Sequence, residues 1–128
     1  MDLINDLENL RIRLNSAIKK LEQYGIELAN AEKDYKITLR QEALKLRSEK
    51  GMPVTLIQQV VYGIPEVADK RCKRDIAEAM RDTIQENINS IKIQMKILES
   101  QIQREWSVNK WRNYIKNKNI HYMKFKKR

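Results

Sequence analysis

Ten residues near the start of the chain, Leu3, Leu7, Leu10, Leu14, Ala17, Leu21, Tyr24, Leu28, Ala31 and Tyr35, recur at alternating steps of four and three. A seam of this kind, sustained over more than four heptads, fits a long α-helix whose apolar edge is closed by another helix. After Tyr35 the series continues as Leu39, Ala43 and Leu46, with two successive four-residue steps that read as a stutter and would locally unwind a supercoil. A second seam follows as Ile84, Ile88, Ile91, Met95, Leu98 and Ile102, and Ile93 and Ile97 broaden its apolar surface. Gly25, inside the first seam, marks either a close helix approach or a weak point.

Between the seams stand the only prolines. Gly51-Met52-Pro53 ends the first helix, and Gly63-Ile64-Pro65 leads into the second, because Gly accepts a left-handed C-terminal conformation and Pro fits a first helical turn. Thr55 to Tyr62, with Leu56, Ile57, Val60 and Val61, reads as a short bridging helix with Thr55 as its N-cap. The expected architecture is all-α: a long antiparallel, coiled-coil-like helical hairpin over 1–106, with helices at about 2–50, 55–62 and 65–106, followed by a basic C-terminal arm over 107–128. In such a hairpin Leu28 comes near Ile88. Leu7, Leu14, Leu21, Leu28, Ile84, Ile88, Ile91, Met95, Leu98 and Ile102 form its seam. Two helices leave Ile93 and Ile97 uncovered, so self-association into an oligomeric bundle, most simply a dimer, is expected unless the C-terminal segment covers them.

Composition closes off other classes. Three Gly, two Pro and 6% aromatic residues are too few for a many-stranded sandwich or barrel. One Cys and one His, at 72 and 121, leave no metal-ligand set within one chain, and no metal or cofactor is expected. Cys72 reads as a small apolar group on the seam side. Glu78, Asp82 and Glu86 share a helix face, but without a Glu-x-x-His pattern they read as a solvated acidic stripe. No phosphate-binding Gly-rich loop is present. The expectation is a non-enzymatic, cytoplasmic protein with no catalytic residues, no signal peptide and no membrane span.

The net charge of +9 is unevenly placed. Residues 1–35 carry 5 basic and 7 acidic side chains, 36–74 carry 9 and 4, 75–106 carry 4 and 6, and 107–128 carry 8 and none. In the last window Lys110, Arg112, Lys116, Lys118, Lys124, Lys126, Lys127 and Arg128 are interleaved with Trp111, Tyr114, Tyr122 and Phe125. Cations neutralise phosphates while aromatic faces stack on unpaired bases, which makes this arm the first nucleic-acid-binding candidate. The same composition also fits a solubilising tail packed on the bundle, an anionic membrane surface or a protein contact.

Residues 44–71, through Gly51, Met52, Val54, Ile57, Gly63 and Ile64, resemble the helix-turn-helix of resolvase-like and repressor-like DNA-binding domains, with one extra residue before Gly63 and an overlong second helix. That resemblance implies a recognition face holding Glu66, Lys70, Arg71, Lys73 and Arg74. A helical hairpin with a short tip helix would carry the same glycines. On a wider scale, Asp34–Arg47, Gly51–Ile57, Ile88–Lys92 and Gln101–Trp106 give residues 3–106 a pattern similar to short helical proteins from the early gene regions of phages and prophages of Gram-positive bacteria. The resemblance implies an accessory factor in nucleic-acid metabolism or, alternatively, an inhibitor docking on a host protein such as a defence component.

Overall fold

The computed structural model describes residues 2–126, with side chains described from 2 to 119. The chain is all-α: α1 spans Leu3–Lys50, α2 spans Val54–Val60, a single 3-10 turn spans Val61–Gly63, and α3 spans Pro65–Lys126. No strand occurs among the described residues. They divide into two compact units, one of residues 2–15 with 89–126, the other of Ser16–Ile88.

The helix ends follow from local chemistry. Asp2 caps α1, its Oδ1 accepting the backbone N–H of Ile4 at 3.1 Å and of Asn5 at 3.3 Å, and a carboxylate there also suits the positive end of the helix dipole. Gly51 ends α1 with φ +61°, and Met52 N–H donates back to the Leu46 carbonyl at 3.3 Å. Pro65 opens α3 as expected. The cap of α2 differs from the expectation. Pro53, extended at φ −61° and ψ 146°, is the N-cap and makes no side-chain capping bond, while its carbonyl accepts Leu56 and Ile57 N–H at 3.1 and 3.0 Å. Because the turn begins directly after Pro53, Thr55 lies inside the helix.

In the Ser16–Ile88 unit, Tyr35, Leu46, Ile57, Val61 and Val67 form a buried cluster, with Leu39, Ala43, Met52 and Ile64 packed against it. Residues of α1, α2, the 3-10 turn and α3 thus share one core. Tyr35 meets Arg74, and Lys20 and Tyr24 share a cleft with Ile84 and Asn87. By the helix rise, Leu28 then stands level with about residue 80, roughly a heptad short of the expected Ile88. The cause is the bridge: α2 and the 3-10 turn cover the end of α1 at Leu46, so α3 starts alongside an earlier part of α1.

Across the chain the seam residues face inward. All ten α1 positions from Leu3 to Tyr35 are buried or half-buried, as are Ile84, Ile88, Ile91, Met95, Leu98 and Ile102. Ile91 keeps 1% of its surface open and Ile88 2%. The inward face of α3 also begins earlier than its apolar residues suggest. Val67, Lys70, Arg74, Ala77 and Arg81 continue the three-four spacing upstream of Ile84, and every one is buried or half-buried. Cys72 is exposed rather than buried, and so is Ile76, because both lie off this face.

In the other unit the inward residues stop at Ile102. Every described side chain from Gln103 to Asn119 is exposed, yet the helix continues without a break. The boundary expected at 106 is therefore a change of composition within one helix. No Gly or Pro follows Pro65, so nothing interrupts the backbone ladder.

Candidate nucleic-acid interface

The basic residues expected to bind phosphates fall into two environments. In the Ser16–Ile88 unit, Lys70 and Arg74 lie on the inward face of α3 and are half-buried. The Arg74 guanidinium sits 4.7 Å from the centre of the Tyr35 ring, and its Nη2 donates to Asp75 Oδ1 at 2.9 Å. Those hydrogen bonds to Asp75, first among several causes, hold the Arg74 proton even more tightly than usual. Arg71 lies over Tyr62 at 5.8 Å. Lys70 and Lys73 line a cleft of about 250 Å³ with Glu27, Asn30, Ala31 and Asp34.

Arg71 and Arg74 thus have aromatic rings of their own chain beside them, and Lys70 and Lys73 border a cleft that also holds two carboxylates. The recognition face implied by the helix-turn-helix resemblance is partly turned toward α1. Apolar periodicity could not reveal this, since Lys and Arg stems cover apolar surface while their heads find partners.

The second environment is the exposed stretch of α3. Lys110, Trp111, Arg112, Tyr114, Lys116 and Lys118 are all exposed there. The Trp111 and Tyr114 rings stack at 5.6 Å with planes 21° apart, and Lys118 Nζ lies 5.3 Å from the Tyr114 ring centre. The three side chains form a ladder along one helix face at i, i+3 and i+7. No acidic residue follows Glu105, so the four described cations have no carboxylate one helical turn downstream, and Lys110, Arg112, Lys116 and Lys118 have none upstream within four residues. The side chains of Tyr122, Lys124, Phe125 and Lys126 lie outside the described residues, and so do Lys127 and Arg128 altogether. Val108 and Ile115, 49% and 41% exposed, belong to the same stretch and carry no charge that would have marked them.

A third feature was not expected. A cleft of about 610 Å³ in the Ser16–Ile88 unit is lined by Lys20, Tyr24, Ile76, Met80, Ile84 and Asn87 among others, with Ile76 and Met80 well exposed. Glu78, Asp82 and Glu86 are exposed, and no three His, Cys, Asp or Glu side chains gather into a metal-binding group among the described residues. No described helix is long and apolar enough to cross a membrane. Comparison with protein-family models, curated proteins and solved structures finds no match to this chain.

Proposed function

We propose that the protein is a non-enzymatic, helical-hairpin accessory factor of phage type that binds nucleic acid through the basic stretch of α3, acting as an oligomer. The observation that carries this reading is the uncompensated charge of that stretch. Lys110, Arg112, Lys116 and Lys118 are exposed with no acidic residue from 106 onward, whereas near the start of α3 Arg74 is paired with Asp75, and Lys70 and Lys73 border a cleft shared with Glu27 and Asp34. A polyanion gains most from cations that are not already neutralised. The start of α3 is then a secondary contributor.

The test is a salt titration of binding to single- and double-stranded probes. Affinity should fall steeply between 50 and 200 mM salt, and replacing Lys110, Arg112, Lys116 and Lys118 by Gln should lower the log–log slope by about 3. Arg71→Glu with Lys73→Glu should cost less. If the second pair abolishes binding and the four changes do not, the helix-turn-helix region is the interface instead.

A protein-docking inhibitor is the second reading, favoured by the apolar cleft around Ile76 and Met80 and by the exposed Val54, Leu56, Val60 and Tyr62 near the bridge. A stoichiometric host protein retained after nuclease treatment, together with no salt-sensitive binding of probes, would decide for it.

A further inference from the structure

On an α-helix, residues three and four apart share a face. Away from the inward series that ends at Met95, Leu98 and Ile102, a second series runs along the opposite side of α3: Ile93, Ile97, Ser100, Arg104, Val108, Trp111 and Ile115. Its apolar members are among the most open in the protein, with Ile93 at 59%, Ile97 at 58% and Trp111 at 62%. Isolated exposed apolar residues need no explanation, but a stripe at heptad-like spacing is what one helix offers another.

We propose that this outward stripe is the interface with a second copy of the chain, paired antiparallel about Arg104. The steps between its members are 4, 3, 4, 4, 3 and 4, which read the same in both directions from Arg104. A two-fold axis there therefore sets Ile93 against Ile115, Ile97 against Trp111 and the small Ser100 against Val108, and the contact is self-complementary as a two-fold interface requires. Arg104 does not block the axis, since its side chain folds back along its own helix, with Nε donating to the Ser100 carbonyl at 3.4 Å.

Charge selects the direction. Parallel pairing would lay two segments of 107–128, each with eight cations and no acid, side by side. Antiparallel pairing about Arg104 lays 107–119 of each beside 89–101 of the other copy, where Glu99 offsets one of Lys92 and Lys96 to leave a single net positive charge. The five apolar side chains expose on the order of 500 Å² per copy, so two copies would bury about 1,000 Å², the size at which specific interfaces begin. Such an interface is modest, and dissociation in the micromolar range is expected.

Self-association is measured on the full chain without nucleic acid, so its failure is separate from failure of the binding reading. Sedimentation should give a dimer that Ile97→Asp or Trp111→Asp converts to monomer, with helicity by circular dichroism unchanged because both sites are open. In a Cys72→Ser background, Arg104→Cys should form a covalent dimer under mild oxidation, Ile97→Cys should not, and a mixture of Ile97→Cys with Trp111→Cys should. A chain that stays monomeric at 100 µM, a dimer indifferent to Ile97→Asp, or efficient self-linking of Ile97→Cys would each overturn the proposal.

Discussion

Two glycines show how differently one residue type can act. A Cβ added at Gly25 would meet nothing within 4 Å, and the position is ordinary helix, so no close approach requires glycine there. Gly25→Ala should therefore stabilise the protein by about 0.5–1 kcal/mol, seen as a higher thermal midpoint, because alanine loses less backbone freedom on folding. At Gly51 the space is equally open, but φ +61° penalises any L side chain. Gly51→Ala should cost about 1 kcal/mol. A stabilised Gly51→Ala or a destabilised Gly25→Ala would contradict these assignments. The sequence showed Gly51 as a helix stop through the Pro that follows it, whereas at Gly25 it left two readings that only the empty space around the position separates.

Among the elements, α3 separates what apolar spacing reveals from what it hides. Its buried half, Ile84 to Ile102, could be read directly from the sequence, since burial of alternate three- and four-spaced apolar residues is what the pattern encodes. Its first turns could not, because Lys70, Arg74 and Arg81 hold inward positions that look like surface in one dimension. Cys72, expected on the seam side, is exposed for the same reason. The last part was legible as a charge change but not as helix, since a basic, Asn-rich run resembles a tail until the absence of Gly and Pro is weighed. The two faces of α3 predict opposite outcomes for neighbouring substitutions. Ile91→Asp puts a carboxylate where 1% of the surface is open and should cost roughly 3–5 kcal/mol. Ile93→Asp, two residues on and 59% open, should leave the denaturant midpoint of the fold nearly unchanged at a protein concentration too low for pairing. Equal losses at the two sites would mean that the inward and outward faces are misassigned.

For the molecule as a whole, the stretch from Gln103 to Asn119 has no tertiary burial to hold its helix, and Ser107, Asn109, Asn113, Asn117 and Asn119 are weak helix formers. Its amide hydrogens should exchange with solvent deuterons orders of magnitude faster than those around Ile88 and Ile91, whose opening requires the core to come apart. Saturation with a ligand for this stretch, whether a polyanion or a second copy, should slow that exchange between 103 and 119 while leaving 84–91 unaltered. Uniform protection along α3 in the free monomer would refute this. The expected contrast makes ordering of the helix part of any binding event there. Each association then carries a conformational cost that holds affinity down and keeps dissociation fast, which suits a factor that engages and releases its target repeatedly.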